Sequence, residues 1–76
     1  MQILKVSATA GLSKGKAADL MFDGFRGVMR GATPPYPVQG GLVVYVKPWI
    51  DGEYMVELVA ENGTVIASAI CDQFDE

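Results

Sequence analysis

A chain of 76 residues, half of them hydrophobic and a fifth charged, has room for one domain with a core near the lower limit for independent stability, and it is too apolar for disorder. The net charge of −3 argues against nonspecific binding to nucleic acid or an anionic membrane, and the absence of histidine removes the commonest general base and metal ligand. One cysteine, Cys71, cannot form an intrachain disulfide; without a signal-peptide segment this suits a reducing cytoplasm, and the run from Leu42 to Val46 is too short to span a bilayer.

Residues 2–8 alternate weakly (Leu4, Val6 and Ala8 against Lys5 and Ser7) and predict a first strand, which Ala10-Gly11 ends. Ser13 suits the N-cap of a helix over 14–30. Its apolar stripe is Ala17, Leu20, Met21, Gly24, Phe25, Val28 and Met29, while Asp19, Asp23, Arg26 and Arg30 form a ridge that can pair acid with base. Phe22 falls outside the stripe. Gly24 and Gly27 each cost about 1 kcal/mol against alanine inside a helix. Close approach to a flat patch at Ala67 and Ala69 would explain Gly24, and Gly31 suits the C-cap.

Residues 32–41 read as a Pro/Gly loop, with Thr33-Pro34-Pro35-Tyr36-Pro37 favouring extended polyproline geometry. Residues 42–71 then read as a three-stranded antiparallel meander. Asp51-Gly52 and Asn62-Gly63 fit two-residue type I′ turns, in which both central residues take φ > 0. Such turns set Trp49 opposite Tyr54, Lys47 opposite Val56, Tyr45 opposite Leu58, Ala60 opposite Val65, Leu58 opposite Ala67 and Tyr54 opposite Cys71. One face then collects Val43, Tyr45, Trp49, Tyr54, Val56, Leu58, Ala60, Val65, Ala67, Ala69 and Cys71, with Lys47 as its only charge. The other collects Leu42, Val44, Val46, Ile50, Met55, Val59, Ile66 and Ile70, interrupted by Glu53, Glu57, Glu61 and Ser68. Pro48 cannot donate to a ladder, so its strand is at an edge there or bulged. Residues 72–76 form an acidic tail.

The expected fold is α+β in the order β-α-β-β-β: one amphipathic helix packed on a small, mainly antiparallel sheet, with the first strand beside the second or the fourth. One helix covers one face, and the first of the two is the better seat for it. The second face is left over, and an apolar surface of several hundred Å² strains what a soluble monomer exposes. Val44, Val46, Met55, Val59, Ile66 and Ile70 are therefore the expected oligomer interface, covered by a second copy or another protein unless the loop or first strand folds across them.

Catalytic patterns are weak. Gly11-Leu12-Ser13-Lys14-Gly15-Lys16 lies where a phosphate-binding loop would, but Ala10 replaces its first glycine and Ala17 its magnesium ligand. Glu57 and Glu61 lack the cleft that a paired-carboxylate site needs, and Cys71 lacks a histidine to activate it. Pro34-Pro35-Tyr36-Pro37 could dock in an aromatic groove, although a rigid linker explains it as well. Trp49, Tyr54 and Tyr45 could stack bases, but Asp51 and Glu53 beside them would repel phosphates. No enzymatic activity, cofactor, metal, nucleic acid or membrane contact is expected.

Charge is segregated: residues 1–30 carry Lys5, Lys14, Lys16, Arg26 and Arg30 against Asp19 and Asp23, a balance of +3, whereas residues 42–76 carry Lys47 against seven acids, a balance of −6. That favours a basic partner at the sheet edge and tail, met by Glu53, Glu57, Glu61, Asp72 and Asp75. In length, acidity and lack of catalytic residues the chain is similar to small phage-encoded inhibitors of host defence of the anti-CRISPR type. The likeness covers general build across the whole chain and includes no motif. It implies a non-enzymatic binding protein in the host cytoplasm that sterically blocks a nucleic-acid-handling complex, and the leftover sheet face adds the expectation of a homodimer. The alternative is a structural or assembly subunit that uses the leftover face to build an oligomer.

Overall fold

A computed structural model describes residues 3–8 and 11–72. Five strands, β1 (Ile3–Ala8), β2 (Tyr36–Pro37), β3 (Val43–Pro48), β4 (Tyr54–Val59) and β5 (Val65–Cys71), form one antiparallel sheet in the order β1-β5-β4-β3-β2. A single helix, α1 (Lys14–Met29), packs on one face. The α+β fold expected from the sequence is the fold observed, and β1 lies beside β5, the last strand of the meander. Because β1 and β2 occupy opposite edges, α1 must cross the sheet to connect them.

Both ends of α1 are closed by local chemistry. Ser13 Oγ accepts the Lys16 N–H at 3.1 Å. At the other end Gly31 takes φ +113, its N–H donates to the Val28 carbonyl at 3.0 Å, and the Ala32 N–H donates to the Gly27 carbonyl at 3.1 Å. That pair of bonds is a Schellman motif, whose left-handed position glycine fills without a Cβ penalty. Ala17, Leu20, Met21, Gly24 and Phe25 are buried, as the stripe predicts. Phe22 lies outside it beneath the Arg26 guanidinium, 5.1 Å from the ring centre.

The core rows run across the strands: Val44, Leu58, Ala67 and Ala8, then Val46, Val56, Ala69 and Val6, then Pro48, Tyr54 and Cys71. Phe25 meets Tyr54 edge-on at 5.4 Å between ring centres. Leu58–Ala67, Val56–Ala69 and Tyr54–Cys71 pair as expected. The β3 side of the sheet does not. Tyr45 pairs with Glu57, Val46 with Val56 and Pro48 with Tyr54, one residue away from the predicted register. A one-residue slip turns every side chain of a strand over. Val44 and Val46 thus lie under α1, whereas Val43, Tyr45 and Lys47 face away from it.

The cause lies in the loops. Asp51 (φ 55) and Gly52 (φ 77) adopt the left-handed pair predicted for them. Yet the hairpin closes one residue earlier, with the Trp49 N–H donating to the Glu53 carbonyl at 2.8 Å and three residues between them. At the second hairpin only Gly63 (φ 86) is left-handed, and Asn62 Oδ1 instead accepts the Thr64 N–H at 3.0 Å. There too the loop has three residues, closed from the Ala60 N–H to the Thr64 carbonyl at 2.9 Å. Val59 therefore faces Val65 where the predicted turn pairs Val65 with Ala60, but a register shift between Leu58 and Val59 restores the predicted pairing beyond. The first hairpin has no such compensating bulge.

Gly24 meets Val44, not Ala67 and Ala69: a Cβ there would lie 2.6 Å from both Val44 γ methyls. Residues 34–37 also depart from the extended polyproline reading, since the Pro34–Pro35 bond is cis and Tyr36–Pro37 form β2. β2 reaches only Val43 and Val44, so Pro48 occupies an edge, one of the two settings expected for it.

Candidate functional site

With α1 on one side, the opposite side of the sheet carries no element of the described chain. Alternation places there Val43, Tyr45 and Lys47 from β3, Met55, Glu57 and Val59 from β4, Ser68 and Ile70 from β5, and Ser7 from β1. The middle row, Tyr45, Glu57, Ser68 and Ser7, is polar, and apolar residues flank it on both sides. Lys47 Nζ lies 3.6 Å from Glu57 Oε1 near its centre. Half-exposed ion pairs of this kind contribute under about 1 kcal/mol, so the pair does more for pattern than for stability.

The exposed aromatic groups belong to this side. Tyr45 is 41% exposed and Trp49 45%. Trp49 lies just past the end of β3 and, with Met55, Ile70, Ser68 and Ser7, walls a hollow of about 250 Å³. Ile50, at 63%, projects from the neighbouring turn. A single helix cannot wrap both faces of a sheet, so these groups meet water in the isolated chain.

Compared with known proteins, the chain matches no family model, no curated protein and no solved structure. Its function must be argued from this geometry alone.

Of the six residues expected at an oligomer interface, Met55, Val59 and Ile70 are on the uncovered face, with Val59 buried there by its neighbours. Val44 is fully buried beneath α1 and so closed to a partner, and Val46 and Ile66, partly buried, pack against the same core. For Val44 and Val46 the reason is the slipped register; Ile66 occupies the irregularity between Val65 and Ala67. Tyr45, Val43 and Trp49, assigned by the sequence to the covered face, take their place. Lys47 was the signal that could have revealed this, because a predicted core face with one charge on it suggests the wrong register.

The acidic residues surround the face without forming a cluster. Glu57 is central and paired with Lys47. Glu53 follows the first turn, and Asp72 follows β5 at the same end of the sheet, since Tyr54 and Cys71 are paired. Glu61 is exposed in the second turn at the other end, beside Gly41. Asp75 lies outside the described residues. Among the described residues no three His, Cys, Asp or Glu side chains approach as metal ligands do, and no helix is long and apolar enough to cross a membrane. Cys71 is buried, and burial, with a smaller contribution from Asp72, pushes its thiol from 9.0 up to about 11. A thiol so protonated is a poor nucleophile at neutral pH. The glycine-rich stretch before α1 is a turn and cap, with Gly11 at φ +93 and Ser13 closing the helix.

Proposed function

We propose that the chain is a non-enzymatic protein-binding module that docks on a basic partner protein through its uncovered sheet face. The supporting observation is the pairing of half-exposed Trp49 and Tyr45 with a hollow floored by Met55 and Ile70, on the one side of the sheet that α1 leaves bare. Tryptophan and tyrosine carry a disproportionate share of binding energy when they enter a partner's surface. Glu53, Glu61 and Asp72 at its two ends, with Glu57 at its centre beside Lys47, would attract lysine and arginine on the partner, which speeds encounter and fixes orientation. Where the partner grips nucleic acid, its basic groups are those that hold phosphates, and occupying them makes the module a steric inhibitor. This is the activity that the likeness to anti-CRISPR-type proteins implies.

The rival occupant is a second copy, favoured by the Lys47–Glu57 pair. A two-fold axis near that pair would set each lysine against the other copy's glutamate. Sizing chromatography with light scattering separates the two. A dimer that dissociates on Trp49→Ala supports assembly, whereas a monomer leaves the face for a different protein. Capture from a lysate of the source cell is then compared for wild type, Trp49→Ala and Glu57→Lys/Glu61→Lys. The proposal expects both variants to lose a partner that wild type retains. Retention by the charge variant removes the electrostatic part, and retention by Trp49→Ala removes the face.

A further inference from the structure

A second concavity lies at the β2 edge, on the helix side, and the proposed function makes no use of it. It encloses about 660 Å³ between the last two turns of α1 and the segment 32–39, within the size range of small-molecule sites. Arg26 in the last turn of α1 and Arg30 at its C-cap form one wall, with Asp23 at the rim, and Tyr36 and Gln39 form the other.

The walls are built rather than accidental. Tyr36 is seated on Gly27: a Cβ at that position would lie 2.6 Å from Cζ and 2.8 Å from Cδ2 of the ring. Only glycine lets the ring lie this close to the helix, which accounts for a residue that helix propensity disfavours. Gln39 is held from outside the cleft, its Oε1 accepting a hydrogen bond from Lys16 Nζ, in the first turn of α1, at 3.0 Å. With the oxygen engaged, the amide NH₂ is what Gln39 has left to donate. Arg26 is steadied by the Phe22 ring and by Asp23, whose Oδ1 is 3.4 Å from its Nη2. One long contact uses little of a guanidinium that carries five N–H donors.

We propose that this cleft binds a small oxyanion-bearing molecule, its phosphate or carboxylate held by Arg26 and Arg30 and its body lying along Tyr36. Two arginines, an oriented amide and a phenol line the cleft, and forked guanidinium donors match both oxyanions. Lys16 brings a further positive charge to Gln39, and Asp23 is the one acid among the described residues of the wall. On a chain of net charge −3 this is a basic site against the overall field.

The test is an NMR titration of the full chain with inorganic phosphate, citrate and adenosine monophosphate, each up to about 20 mM and matched in ionic strength with sodium chloride, a range that reads millimolar or tighter affinity. The expected result is saturable amide shifts at Gly27, Arg30 and Gln39, with the Trp49 side of the sheet unmoved. Arg26→Gln/Arg30→Gln should weaken binding about tenfold or more. Saturation by the two phosphates alone assigns a phosphate ligand, by citrate alone a carboxylate ligand, and by all three the shared oxyanion chemistry. Both arginines are on the surface, and an unchanged melting temperature shows that the variant is folded; if it is not, Arg30→Gln alone with Arg26→Lys alone replaces it. Shifts that fail to saturate, that chloride reproduces, or that survive in the folded arginine variants overturn the proposal. The outcome is independent of the sheet face, since Trp49→Ala leaves the cleft intact.

Discussion

Replacing Gly24 with alanine tests the packing on which every assignment of faces depends. The added methyl would lie 2.6 Å from both γ carbons of Val44, where carbon atoms in contact are about 3.5–4.0 Å apart. Val44 is fully exposed to no solvent and anchored by its own backbone, so neither partner can swing aside and α1 must lift by about 1 Å. Overpacking of this kind costs about 1–3 kcal/mol, and the upper end applies because the clash is at Cβ and cannot be relieved by a rotamer change. Against it, alanine gains about 1 kcal/mol of helix propensity. The net loss is about 2 kcal/mol, a fall of about 8–16 °C in melting temperature for a domain of this size. Urea unfolding at constant slope, read by Trp49 fluorescence, gives the free energy directly. Gly15→Ala is the control, because a Cβ there meets nothing within 4 Å, and it should stabilise by up to about 1 kcal/mol. In the same assay Val44→Ser should cost more than Tyr45→Ser. A Gly24→Ala protein at least as stable as wild type, with the order of Val44 and Tyr45 reversed, would refute the register and restore the face predicted from two-residue turns.

Gly27→Ala should behave differently, because the Tyr36 ring it displaces is half-buried on a two-residue edge strand and can move. Melting should stay within about 8 °C of wild type, the clash and the propensity gain of about 1 kcal/mol largely cancelling, while oxyanion binding in the cleft falls severalfold. The Cys71 thiol predicts the alkaline limb of stability. Its native pKa of about 11 is above the unfolded value, so both states keep the proton below pH 9 and only the unfolded chain loses it as pH rises toward 11. Stability from this group is therefore present at neutral pH and lost between pH 9 and 11, by at most about 3 kcal/mol. Comparing urea midpoints of wild type and Cys71→Ala across that range isolates it, and parallel curves would show that burial does not hold the thiol neutral.

A chain of this size has few ways to present a surface. The helix needs one face of the sheet to bury Phe25, Met21 and Leu20, and five antiparallel strands in one layer leave the other face bare. The exposed Trp49 and Tyr45 follow from that architecture, as does the separation of the uncovered sheet face from the cleft at the β2 edge.

Local chemistry was legible in the residues themselves. The stripe of α1, its Ser13 cap, its Gly31 terminus, the left-handed pair Asp51-Gly52 and the Leu58–Ala67 register all follow from neighbours within a few positions, because backbone φ/ψ and 3.6-residue periodicity are short-range properties. What they could not determine was how many residues close each hairpin. That is decided by whether Val44 or Tyr45 fits beneath Gly24, and whether Lys47 must be buried, and both depend on a helix some twenty positions earlier in the chain. Burying a lone ammonium costs more than adding one residue to a turn, so the loop at Trp49–Glu53 lengthens and β3 turns over. The same long-range packing brings Arg26, Arg30 and Tyr36 around one cleft and carries Trp49 onto the bare face, which is why neither surface can be read from spacing alone.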